Sequence, residues 1–174
     1  MLRLIKTLQP QQLKWLVLSV LVVWLDQYSK ILVVENFNLY DRVELLPIFN
    51  LTRAHNYGAA FSFLADAGGW QRYFFTAVAL IASFVFTLWL MQTKPGQKTL
   101  PIALALVLGG AIGNVYDRVS LGYVVDFLDF HWGMRHFPAF NVADMAITIG
   151  AGFMLLDMFL EYRQESKASA EAGE

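Results

Sequence analysis

Leu13–Val34 reads LKWLVLSVLVVWLDQYSKILVV. At about 1.5 Å of rise per residue, a helix of this length spans roughly 30 Å, the thickness of a bilayer's hydrocarbon core. Three more apolar runs of similar reach follow, at Tyr73–Met91, Leu100–Tyr116 and Asn141–Leu160. The third is the shortest, and its Gly109, Gly110 and Gly113 lower helix propensity while permitting close helix contact. The chain is 57% hydrophobic and only 16% charged, too little polar surface for a soluble domain. The predicted fold is an all-α polytopic membrane protein with four transmembrane helices. None of the runs shows the short alternating pattern of a membrane β-barrel. Arg3, Lys6 and Lys14 precede or open the first run as in a signal peptide. That run is nevertheless too long and lacks a small-residue cleavage site, so it is expected to stay in the protein.

The net charge of −1 gives no reason to expect nucleic acid as a partner. The absence of Cys excludes disulfides, thiolate metal sites and a Cys nucleophile. Residues 1–160 are expected to form one integral membrane domain, and residues 161–174 a polar, frayed tail. Glu35–Arg72 is too long and apolar for a passive linker. Its VELLPIFNLTR stretch, broken at Pro47, predicts a small β-like platform on the membrane surface. The aromatic connection Asp117–Phe140 is expected to hug the same interface. With four spans both termini share one side. That side carries Arg3, Lys6, Lys14, Lys94, Lys98, Arg163 and Lys167, against Arg42, Arg53, Arg72, Arg118 and Arg135 opposite, with Lys30 near the end of the first span, a modest bias toward cytoplasmic termini.

Parity also gathers the acids. The ends of spans one and three and the starts of spans two and four share a face, so Asp26, Asp126 and Asp144 fall toward one side. A carboxylate at mid-helix costs roughly 2.5–3.5 kcal/mol on insertion scales, so each is a functional candidate by default. Asn56, Asn114, Asn141 and Arg118 accompany them. Asn114 and Arg118 share a helix face at i,i+4, as Asn141 and Asp144 do at i,i+3.

Five blocks carry a resemblance: DQYSK at Asp26–Lys30, NYGAAFS at Asn56–Ser62, GGAIGNVYDRV at Gly109–Val119, VVDF at Val124–Phe127 and FPAFNVADMAI at Phe137–Ile147. In this order the chain resembles the bacterial lipoprotein signal peptidase (signal peptidase II) family from about Leu13 to Leu160. The resemblance implies an aspartyl endopeptidase of the bacterial inner membrane, its active site toward the periplasm. It cleaves diacylglyceryl-modified prolipoproteins immediately before the lipid-modified cysteine. The catalytic pair then corresponds to Asp126 and Asp144, while Asp26, Asn56, Gly58, Asn114, Arg118 and Asn141 match positions around the site. The implied partners are prolipoprotein signal peptides and membrane lipids. The chain is expected to act as a monomer, with no cofactor and no metal.

Two nearby carboxyls in a partly dehydrated site share one proton, so one can accept a proton from water while the other donates toward a carbonyl. Other readings compete at each position. Asp144 would cap a helix in any protein. Asp117 reads as a surface acid or local partner of Arg118, Asp157 as an interfacial group away from the site, and Asp129 has no assignment. His55, His131 and His136 lack metal-motif spacing. Ser29, Ser62 and Lys30 raise the reading of a serine–lysine protease, but Lys30 near a span end is explained by snorkelling to headgroups. GGAIG lacks the Lys-Ser/Thr of a phosphate loop and reads as helix packing. The rival functions are a small transporter or channel using interfacial acids, and a lipid-binding or assembly protein whose acids only cap helices.

Overall fold

The computed structural model describes residues 8–58 and 68–171. Arg3 and Lys6, Ala59–Ser62 of the NYGAAFS block, and with them the Ser62 reading, lie outside the described residues. Among the described residues four helices are long and apolar enough to cross a membrane. A 3₁₀ turn, Pro10–Trp15, leads into α1, Leu16–Asn36. The others are α2, Gln71–Leu90, α3, Thr99–Ser120, and α4, Val142–Glu171. Side chains along α1, α2 and α4 such as Val17 (74% exposed), Phe84 (65%) and Leu155 (68%) face outward, a surface that only lipid would cover.

α3 is the central helix and packs against the other three. Its small residues explain why. A Cβ on Gly109 would lie 2.7 Å from the Cβ of Val22, and one on Gly113 would lie 2.6 Å from Asp26 Oδ2, so both glycines admit α1. A Cβ on Gly110 would overlap the Ala143 carbonyl oxygen, so Gly110 admits α4. GGAIG is therefore a packing motif.

Two helices differ from the sequence expectation. α3, at 22 residues, is longer than α2, at 20, because it includes Asp117 and Arg118 in its last turn. α4 runs on to Glu171, in place of the frayed tail that the sequence suggests. Ala, Glu, Gln, Lys and Arg dominate that tail and are all good helix formers, and they extend a helix already nucleated in the membrane.

The extramembrane layer is a four-stranded antiparallel sheet in the order β1-β2-β3-β4. β1 (Arg42–Leu46) and β2 (Phe49–Asn56) flank the turn at Pro47, as VELLPIFNLTR suggests. β3 (Val124–Trp132) and β4 (Arg135–His136) come from the second connection, which the sequence did not mark as strand. Asp129, unassigned from sequence, pins the layer together. Its buried carboxylate accepts from Asn50 of β2 (3.0 Å) and pairs with Arg42 of β1 (3.2 Å) and His136 of β4 (2.8 Å). Burial opposes its ionisation, but the bonds from Asn50 and His136 and the charges of His136 and Arg42 outweigh it. They hold the carboxyl below the usual range.

Candidate active site

Asp126 sits on β3 opposite Ala54 of β2, a strand position rather than the loop expected. After β4 the chain turns back along β3, where Phe127 and Leu128 donate to the Phe140 carbonyl and Phe140 donates to Leu128. That return delivers Asn141 beside Asp126 and starts α4 there. Asn141 caps α4: its Oδ1 accepts the Asp144 N–H at 2.9 Å, while Asp144 Oδ2 accepts the Asn141 N–H at 3.3 Å. This is a reciprocal capping box with a carboxylate at the third helical position. The same Asn141 donates from Nδ2 to Asp126 Oδ1 at 2.7 Å. One residue thus bridges the two acids, through its side chain to Asp126 and its backbone N–H to the Asp144 carboxylate.

Each acid has a second amide donor. Asn56 Nδ2 reaches Asp126 Oδ2 at 3.0 Å, and the Gly58 N–H orients that amide by donating to Asn56 Oδ1, also at 3.0 Å. Asn114 Nδ2 donates to Asp144 Oδ1 at 2.8 Å. Arg118 donates from Nη2 to the Gly58 carbonyl (3.1 Å) and lies 5.6 Å from the Phe75 ring, so it pins the end of the β2 connection to α3 and α2. Asp126 is 3% exposed. Burial, with Asp144 adding repulsion, pushes its carboxyl up to about 7, against the lowering by Asn56, Asn141 and Lys30. Near neutral pH this carboxyl is poised to hold or give up a proton.

Both acids line a cavity of about 730 Å³, walled on its apolar side by Phe137, Met145, Ile147 and Ile149. Asp26 lies deeper. Fully buried, it accepts the Ala143 N–H at 2.9 Å and so satisfies an orphan donor at the start of α4. It therefore supports the site through the backbone. Gly113, lacking a Cβ, leaves the space for this contact.

Lys30 and Asp117 stand where the sequence did not put them. Lys30 does not snorkel. It is 3% exposed, with its Nζ 2.8 Å from Asp26 Oδ2, 2.9 Å from Asp117 Oδ2 and 3.1 Å from Asn114 Oδ1. Asp117 is no surface acid or partner of Arg118. It is buried, pairs with Lys30 and accepts the Val125 N–H at 3.1 Å, tying α3 to β3. The signal was present in DQYSK: an acid four residues before a lysine on one helix face forms a pair that can go inward together.

The histidines stand apart from the hydrogen bonds of Asp126 and Asp144. His55 stacks on Tyr123 at 3.7 Å between ring centroids, and burial, helped by the Arg53 charge, lowers its basicity. His131 and His136 stack on each other in the β3–β4 hairpin. Among the described residues no three His, Asp or Glu side chains gather as a metal cage. Asp157 lies in a separate cavity with Gln97, near the far end of the helices.

The family model described as Signal peptidase (SPase) II matches residues 18–160. The chain belongs to the signal peptidase II family. Its relatives include the lipoprotein signal peptidase of Alteromonas mediterranea, 50% identical over 173 residues that cover 98% of this chain and 95% of that one. The lipoprotein signal peptidase of Haemophilus ducreyi is 54% identical over 154 residues, 88% of this chain and 96% of its own. A bacterial membrane enzyme solved by the in meso method at 2.3 Å resolution aligns with a TM-score of 0.77 and 29% identity. That match covers 86% of this chain and 89% of the other. Membership in signal peptidase II makes this chain a membrane-embedded aspartic endopeptidase and sets the transporter and channel reading aside.

Proposed function

We propose that Asp126 and Asp144 are the acid–base pair with which this chain removes the signal peptide from diacylglyceryl-prolipoproteins, cutting before the lipid-modified cysteine. The observation that carries this reading is Asn141, which donates to Asp126 while capping at Asp144 and so holds both acids at one cavity. In the reaction the ionised carboxylate takes a proton from water as the water oxygen bonds to the scissile carbonyl carbon. The protonated carboxyl gives its proton to the carbonyl oxygen. Collapse of the tetrahedral intermediate breaks the C–N bond, and a proton passes to the leaving cysteine nitrogen. The products are a signal peptide with a free carboxylate and a lipoprotein with a free amino group. Asn56 and Asn114 hold the acids, Arg118 and Gly58 fix the cavity rim, and Asp26 anchors α4.

Substrate lipid fits this geometry. The diacylglyceryl chains remain in the bilayer while the peptide bond enters the cavity past its apolar wall, so anchoring supplies much of the orientation. The test is direct. Purified protein in detergent or lipid is expected to release the signal peptide from a diacylglyceryl-modified precursor, and much more slowly from the same precursor without lipid. Equal rates on both would refute the lipid-dependent reading.

Residues 1–160 act as one peptidase unit with cytoplasmic termini and the cavity toward the periplasm. The excess of Lys and Arg at the termini and in the α2–α3 connection supports this orientation. Reporter fusions after Ala54 and after Gln97 are expected to report periplasm and cytoplasm respectively. A reversed or single-sided result would overturn the orientation.

A further inference from the structure

Hydrolysis by the pair makes no use of the buried cation beside it. The Lys30 ammonium directs two of its protons to Asp26 and Asp117, which tie α1 to α4 and α3 to β3. Its third contact is the neutral amide oxygen of Asn114, at 3.1 Å. That contact is the shorter of the two that Asn114 Oδ1 accepts, and it carries the charge that fixes how the amide is turned. With Oδ1 accepting from Lys30 and, at 3.3 Å, from Asn141, the amide nitrogen is left to face Asp144 at 2.8 Å. A flipped amide would set its oxygen against a carboxylate and its NH₂ against an ammonium.

We propose that Lys30 is a positioning residue for the aspartate pair, holding Asn114 in the one amide orientation that donates to Asp144. The proposal rests on the reading of Asp126 and Asp144 as the catalytic pair. The charged and titratable groups around that pair are Asp26 and Lys30 from α1, Asp117 and Arg118 from α3, and His55 from β2. Removing Lys30 alone would leave two buried acids without their cation and endanger the fold. Two double variants avoid this. In both Lys30→Met/Asp117→Asn and Lys30→Gln/Asp117→Asn, one acid and one base leave together, so the formal charge of the cluster is unchanged. Only the glutamine variant keeps an N–H that can reach Asn114.

The measurement is the pH dependence of kcat/KM on a lipidated precursor. In the methionine variant the Asn114 amide keeps only the longer Asn141 contact on its oxygen, and its hydrogen bond to Asp144 weakens. The pair then holds its shared proton more tightly, and the profile is expected to move up by about half to one pH unit with a roughly tenfold lower maximum. In the glutamine variant the lost Lys30 charge still lifts the profile, because the Asp126 carboxyl feels that cation and not Asp117, but the profile is expected to lie about half a unit below that of the methionine variant, with a several-fold higher maximum. Identical profiles for the two variants would overturn the proposal. If the methionine variant does not fold, the glutamine variant decides alone, because a roughly tenfold lower maximum despite its retained donor would mean that charge and not orientation is what Lys30 supplies. Asp126→Asn is run alongside. Normal turnover there removes the catalytic pair itself, whereas its loss together with identical profiles for the two double variants removes only the role of Lys30.

Discussion

Asp126→Asn and Asp144→Asn are each expected to bring cleavage of a lipidated precursor to background, a loss of at least about a hundredfold, the usual minimum for deleting a general acid or base. Asn keeps the size and much of the hydrogen bonding but cannot cycle a proton. At position 144 it still accepts the Asn141 N–H, so the α4 cap survives and a purely structural role would survive with it. At position 126 the prediction has a second, opposite arm. The folded carboxyl titrates at about 7 against an ordinary 3.8, so the native state binds more protons between those values. Its contribution to stability is complete below about pH 4 and is lost as pH rises through about 7. The amide that replaces it does not titrate. The mutant should therefore gain thermal stability relative to the native protein as pH rises across that window, while remaining inactive. Turnover is compared at equal amounts of folded protein, with Asp157→Asn as the active control because Asp157 bonds Gln97 in the other cavity. Near-normal turnover by either site mutant would end the assignment.

Gly110→Ala is expected to be the most damaging methyl addition among the helix-packing glycines Gly109, Gly110, Gly113 and Gly150. The added carbon would overlap the Ala143 carbonyl oxygen and come within 2.7 Å of Ile147 Cγ1. The first obstacle is backbone in the opening turn of α4, which cannot rotate away, so α3 and α4 must separate. Overpacking of this kind costs typically about 1–3 kcal/mol, occasionally more. It also draws Asp144 away from Asn114. Gly152→Ala, by contrast, meets no atom within 4 Å on the same helix α4. It should leave stability unchanged or raise it by a few tenths of a kcal/mol through helix propensity. Thermal unfolding in detergent separates the two. Equal midpoints would show that α3–α4 contact is looser than the geometry requires.

The spans are legible because hydrocarbon thickness is a physical ruler, and their parity brings Asp26, Asp126 and Asp144 to one face before any contact is known. The site blocks are legible through family resemblance. β3 is not legible. Val124, Val125, Asp126 and Phe127 are all buried, so the segment lacks the alternation that marks a half-exposed strand. Nor does hydropathy report partners distant in sequence. Lys30 resembles a headgroup-seeking cation because nothing nearby in the chain except Asp26 announces that Asp117 and Asn114 will meet it. The helical tail is a simpler case: its charge suggests disorder, while its helix-forming residues continue a helix already begun in the membrane.

The order in which the acids appear along the chain matters to a cell that must build a peptidase inside its own membrane. Asp126 is synthesised before Asn141 and Asp144, and those two belong to the opening turn of the last span. On the proposed assignment, a chain still emerging from the ribosome with three spans inserted carries one acid of the pair and neither its bridge nor its partner. Capping α4 and completing the site are the same event, so hydrolytic capacity arrives only with the final helix. On that assignment the order of synthesis by itself denies an unfinished chain the means to cut its neighbours.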